Sequence, residues 1–179
     1  SGKKVVDYLN VAGPISFDRQ SYLLTWSTHP SEGFYKQEYL VQGDNIEKYK
    51  TMVLLDVMTG HQDIKGVVNA KMNELKQMKA SNPMVNYDLI QNPSTGEYIL
   101  DFLLTANTPK GDISIIEWNV YRYRIFTDIN GKKGIQLFGL SKRGYAPGID
   151  AFLATLKTTR KDLINKVSQH KMPEVKLLQ

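Results

Sequence analysis

Hydrophobic spacing resolves the chain into two helices and a larger set of strands. Between Asp63 and Ala80, Ile64, Val67, Val68, Met72, Leu75 and Met78 recur at helical spacing, with Lys65, Lys71, Lys76 and Lys79 off that stripe. The segment is predicted to be an amphipathic helix capped by Asp63 and stopped at Asn82-Pro83. A second helix is predicted over Ile149–Val167, with Ile149, Phe152, Leu153, Leu156, Leu163, Ile164 and Val167 on one stripe and Lys157, Arg160, Lys161 and Lys166 mostly outside it. Met52–Met58, apolar except for Asp56, reads as a buried strand. Ser21–Thr28 and Phe34–Val41 read as strands about the connecting turn His29–Gly33, after a short edge strand Ile15–Phe17 ended by Asp18-Arg19-Gln20. Asn45–Lys50 is expected as a helical turn, and Thr59-Gly60-His61-Gln62 as a loop.

Strands 84–90, 98–105, 113–126 and 135–142 follow with only short turns between them, which predicts an antiparallel meander. Asn130-Gly131 is a type I′ hairpin signal, since both central residues of that turn take positive φ. A two-residue loop there sets Tyr123 opposite Phe138 and Trp118 opposite Arg143. One face then carries Tyr121, Tyr123, Ile125, Phe138 and Leu140, suited to a core beneath a helix. The other carries Trp118, Arg122, Arg124 and Arg143, an outward cationic and aromatic strip. The fold class expected is α+β: a single antiparallel sheet with helices packed against it.

The chain has 179 residues, 41% hydrophobic, enough for one domain with a substantial core. No repeat or linker divides it, so residues 15–172 are read as the domain, 1–14 as a loosely attached lead-in and 173–179 as a tail. The net charge of +5 is mildly basic, without the dense Lys/Arg run of a nucleic-acid-binding chain. No cysteine is present, which removes disulfides, thiolate chemistry, zinc fingers and iron–sulfur clusters. No apolar run approaches the roughly 20 residues that span a bilayer. Ser1-Gly2 in place of an initiator Met resembles the scar of a removed tag, and on that ground an exported protein whose leader has been trimmed is expected.

No cofactor or metal motif is found. His29, His61 and His170 stand apart in loops or at a frayed end, as solvated histidines do. There is no Gly-x-Ser-x-Gly, no Gly-x-Gly-x-x-Gly and no phosphate loop. Asp56 and Asp101, each within an apolar strand, are the carboxylates to inspect for a raised pKa, against the plainer reading of an outward residue or an arginine's partner. Gln37-Glu38-Tyr39 with Trp26 is a second cluster, suited to anchoring a partner or to a core with a polar tip. The best candidate site is Trp118, Arg122, Arg124 and Arg143, extended by Lys142 and Tyr145 into the loop before the last helix. Arginine stems covering a packed helix are its plainer alternative.

Gln37-Glu38-Tyr39-Leu40, Gly43-Asp44-Asn45-Ile46-Glu47-Lys48-Tyr49 and Met52–Met58 resemble a pattern in uncharacterised bacterial exported proteins. So do Ser141-Lys142-Arg143-Gly144-Tyr145, Phe152 and Arg160-Lys161. Those proteins are similar to the PsbP-like fold, shared by an extrinsic subunit of photosystem II and a Ran-binding nuclear-import factor. The resemblance spans roughly residues 20–168 and implies an antiparallel sheet with helical cover and action by binding, with no catalytic residues to carry over. The function expected is a non-catalytic exported binding or assembly module for a protein or cell-envelope component. The alternatives are a hydrolase with Asp56 or Asp101 as base, and a nucleic-acid binder using Arg122, Arg124, Lys132, Lys133, Lys142 and Arg143.

Overall fold

Eight strands and two helices alternate as β1 (Ile15–Phe17), β2 (Gln20–Ser31), β3 (Phe34–Leu40), β4 (Thr51–Thr59), α1 (Ile64–Ser81), β5 (Asn86–Gln91), β6 (Tyr98–Asn107), β7 (Ile113–Thr127), β8 (Lys133–Tyr145) and α2 (Ile149–Gln169) in a computed structural model. The model describes residues 4–60 and 63–178. Ser1-Gly2, and His61-Gln62 of the expected loop, lie outside them.

All strands join one antiparallel sheet in the order β1-β2-β3-β4-β8-β7-β6-β5. It consists of two four-strand meanders, β1–β4 and β5–β8, joined where β4 pairs with β8 from Thr51↔Lys142 to Thr59↔Gly134. The expected α+β class and late meander are present. α1 connects central β4 to the far edge strand β5, its first turn held by the Asp63 carboxylate, which accepts from Gly66 N. Asn45–Lys50 forms no helix and instead closes on itself through an Asn45↔Lys48 bridge.

The two helices cover opposite faces of the sheet. α1 places Ile64, Val68 and Leu75 against Tyr98, Leu100, Phe102, Tyr123, Ile135 and Leu137. α2 places Leu163, Ile164 and Val167 against Val120, Phe138, Leu140 and Val53. Cover on both sides explains why Met52–Met58 is apolar at every position but Asp56, since a strand with no wet face has no reason to alternate.

The termini join the α2 face. Leu9 is fully buried, and Met172, Val175 and Leu177 enter the same core. Lys176 N donates to Leu9 O (3.0 Å) and Leu178 N to Tyr8 O (2.8 Å). Residues expected as a loose lead-in and tail are thus packed against one another, because an apolar residue every second or third position gives each segment one side to bury.

The β7–β8 register differs by one residue from the expected one. Tyr123 opposes Leu137, Trp118 opposes Lys142, and Glu117 opposes Arg143. Asp128 is the cause. Its Oδ1 accepts from Asn130 N (2.9 Å) and Lys132 N (2.8 Å), while Asp128 N donates to Lys132 O and Gly131 N to Asp128 O. Only Gly131 (φ 80°) takes positive φ, so the loop is a three-residue turn ending in a left-handed glycine, not a type I′ turn. Positive φ at two successive central residues occurs instead at Asp18 (φ 45°) and Arg19 (φ 66°), between β1 and β2, without a glycine.

Candidate functional site

A one-residue slip turns one strand's faces over relative to its neighbour, and it divides the expected strip. Trp118, Arg122 and Arg124 share the face beneath α2 with Gln136, Phe138, Leu140 and Lys142. Arg143 lies on the other face, with Glu117 and Ser141.

On the α2 face, the residues expected to meet solvent are interior. Trp118 is 2% exposed and Arg122 8%. Trp118 Nε1 donates to Asp101 Oδ2 (3.1 Å), and Arg160 of α2 grips the same carboxylate through Nε (2.7 Å) and Nη2 (2.8 Å). Asp101 is therefore an arginine's structural partner, the plainer of its two readings. Arg122 donates from Nη1 to Val167 O (3.2 Å) and His170 O (2.8 Å), and from Nη2 to Glu97 Oε1 (2.9 Å). It ties the carboxyl end of α2, where a cation also suits the helix dipole, to the turn before β6. Arg124 donates to Gln136 Oε1 (3.1–3.2 Å) and remains half-buried. The outward strip is absent because α2 needs this face, and the arginine stems and heads furnish its floor and cap. His170 is half-buried and stacks on Phe138 at 4.5 Å, and burial lowers its pKa. It is part of this packing, not the solvated histidine expected.

The other face carries a polar cleft beyond the end of α1, where Arg143 and Tyr145 do converge. Arg143 Nε donates to Glu117 Oε1 (2.9 Å) and its guanidinium lies 4.4 Å from the centre of the Tyr49 ring. Tyr49 Oη donates to Glu117 Oε1 (3.1 Å) and lies 2.9 Å from Ser141 Oγ. Asn119 Nδ2 donates to Glu117 Oε2 (3.0 Å), and Tyr145 Oη to Tyr49 O (2.7 Å). Glu117 thus fixes Arg143 through Nε, and the Tyr145 side chain also engages the guanidinium. Lys36, Glu38 and Tyr121 complete the cleft, which encloses about 210 Å³. Glu117, Tyr49, Asn119 and Ser141 escaped the sequence reading. Glu117 becomes visible only with the correct register, which sets it directly across from Arg143.

Farther along the same face, Leu23 (43% exposed) and Trp26 (39%) stand on β2. Leu23 pairs with Leu40 and Trp26 with Glu38, which places both on the cleft side of the sheet. In the Gln37-Glu38-Tyr39 cluster, Gln37 and Tyr39 point the opposite way: Gln37 Oε1 accepts from Tyr8 N (2.7 Å) and Tyr39 Oη donates to Val11 O (2.5 Å).

Asp56, on β4 between Lys36 and Leu137, is 6% exposed. Its Oδ2 lies 3.7 Å from Lys36 Nζ, and Oδ1 has no hydrogen-bond partner among the described residues. Burial outweighs Lys36 and pushes its pKa up to about 6. The folded state therefore holds this proton at pH values where the unfolded chain, near 3.8, has released it. Stability falls as pH rises from about 4 to about 6, then stays lower, by at most about 3 kcal/mol at roughly 1.4 kcal/mol per unit. Asp56→Asn is expected to raise stability at pH 7.5 by about 1–2 kcal/mol and to flatten its dependence between pH 4 and 6. Urea unfolding at pH 4.5 and 7.5 checks this, and a destabilised variant at pH 7.5 contradicts it.

Lys142, on the α2 face, borders a separate cavity with Lys50, Thr51 and Tyr22. Lys132 and Lys133 lie at the exposed end of the β7–β8 hairpin. The six cations of the nucleic-acid alternative are thus spread over both faces and a tip. Among the described residues no group of three or more His, Asp or Glu could hold a metal ion, and no helix is long and apolar enough to cross a membrane.

A protein-family model matches residues 9–172. No curated protein and no solved structure matches the chain.

Proposed function

The chain belongs to an uncharacterised bacterial family, and we propose that within it this protein is a non-catalytic, exported binding or assembly module of PsbP-like fold. It docks a protein partner of the cell envelope through the sheet face that α1 leaves open. The observation that carries this reading is the exposure of Leu23 and Trp26 beside a cleft in which Arg143 is fixed by Glu117. An apolar anchor near a positioned guanidinium is the composition of a binding hot spot, with Trp and Arg the residues most often dominant. Arg143 and Tyr145 remain in this surface. Trp118 and Arg122 leave it, and Arg124 and Lys142 lie on the opposite face.

The test compares capture from the native envelope fraction by the wild type and by a Leu23→Ser/Trp26→Ala variant, with Arg143→Glu as a second. Expected is one component held by the wild type and weakened at least about tenfold by both variants, their circular dichroism unchanged. Identical retention by all three sinks the proposal. A second reading, a hydrolase with Asp56 as base, is favoured by that residue's unpartnered oxygen and raised pKa. Binding is preferred because the cleft is lined by Lys36, Glu38 and Arg143, while Asp56 stays covered.

A further inference from the structure

On the α2 face, away from the docking surface, a cavity of about 470 Å³ opens between the β1–β2 hairpin, the start of β4, the end of β8 and α2. That size is within the range of small-molecule sites. Its lining is mixed: Phe17, Leu140 and Leu163, buried there with Val41 beside them, form an apolar part, and Gln20, Thr51 and charged side chains form the rest. Into this enclosure β8 projects Lys142, whose Nζ donates to Thr51 Oγ1 (3.1 Å). An ammonium has three donors. The other two have no protein partner among the described residues, nor does the Tyr22 hydroxyl on the same wall. Burial lowers the Lys142 pKa against the pull of Asp18, and, with Asp18 and Asp44 nearby, it raises that of Tyr22 to about 12, so the Tyr22 hydroxyl remains a protonated donor.

The acids at the rim set the charge the cavity accepts. Asp18 is engaged by Lys166 of α2 at 2.7 Å, so its attraction is shared between Lys166 and Lys142. Asp44 and Lys50 both line the cavity. Two carboxylates repel a dianion more strongly than a singly charged group. Asp18 also occupies a left-handed conformation (φ 45°), and so does Arg19 (φ 66°), backbone states that cost energy in non-glycine residues and that gather at ligand sites.

We propose that this cavity binds a small organic monocarboxylate, its carboxylate on Lys142 and Tyr22 and its short apolar body against Phe17, Leu140 and Leu163. Hexanoate is the probe, titrated calorimetrically into the full chain, with hexyl phosphate and hexylammonium as controls. Expected is saturable binding of hexanoate, weaker binding of hexyl phosphate at pH 8, none of hexylammonium, and at least about a tenfold loss in Lys142→Met, which keeps the apolar stem. Chemical modification of Lys142 by trinitrobenzenesulfonate, read by mass spectrometry on the wild type, decides the matter if that variant does not fold: hexanoate is expected to slow it selectively. Absence of saturable binding, equal affinity in folded Lys142→Met, preference for hexyl phosphate, or an unprotected Lys142 overturns the proposal. Leu23→Ser/Trp26→Ala should leave hexanoate binding unchanged, which keeps this site's fate separate from that of the docking face.

Discussion

Arg122→Ala is expected to lower the stability of the fold by about 3–4 kcal/mol, the range for removing one partner of a buried ion pair. The guanidinium is shared among three acceptors, two of them carbonyls at the end of α2 and the third the Glu97 carboxylate. Val167 O keeps only the long bond from His170 N (3.4 Å), and truncation removes the charged partner of Glu97 at a part-buried position. At 179 residues, roughly 2–4 °C per kcal/mol translates this into a fall in Tm of about 10 °C. Arg122→Lys should retain part of the loss, since a single ammonium cannot span both sides of the fork. Arg124→Ala, which removes donors to Gln136 alone, should cost about 1 kcal/mol or less. Thermal unfolding followed by circular dichroism measures all three. An Arg122→Ala midpoint equal to that of the wild type would falsify the internal role of this residue.

Gly134→Ala is the second large effect. A Cβ at Gly134 would overlap the carbonyl oxygen of Met58 and come within 3.0 Å of the Phe126 ring. The first obstacle is backbone on β4 and cannot swing aside. Gly134 also sits where β8 meets β4 and β7 together, opposite Thr59 and Phe126. The methyl therefore wedges apart the β4–β8 ladder that connects the two meanders. A loss of about 3 kcal/mol is expected, the upper end of overpacking, seen as a lower urea midpoint. Gly131→Ala is the control: its left-handed φ makes a side chain costly by about 1–2 kcal/mol, but nothing lies within 4 Å of the added carbon. If Gly131→Ala proves the more damaging, conformational strain outweighs the close approach of the strands.

How far the chain could be read varied with the kind of information involved. Both helices announce themselves because their apolar stripes are long and uninterrupted, and Asp63 and Asn82 bound α1 as their chemistry suggests. The late meander follows from turn residues at short spacing. Which way β8 faces depended on a side chain, not a dipeptide: Asp128 accepts two amides and adds one residue to the loop. That single residue moved Arg143 away from Trp118 and Arg122. Alternation along β7 shows two faces but cannot say that both are covered, so the arginines looked wet when α2 lay over them. Asp56 and Asp101 were equivalent in sequence, and only the approach of Arg160, distant along the chain, distinguishes them. The Lys142 cavity draws on β1, β2, β4, β8 and α2 at once, and no local motif records such a convergence.

The antiparallel pairing of residues 8–9 with 176–178 brings two segments that are far apart along the chain to neighbouring positions. A short bridge could join them, and the chain could be reopened in the exposed turn between β5 and β6. β6 would then be made first and β5 last, with every ladder of the sheet kept. What such a permuted chain must preserve is the meeting of the two meanders along β4 and β8.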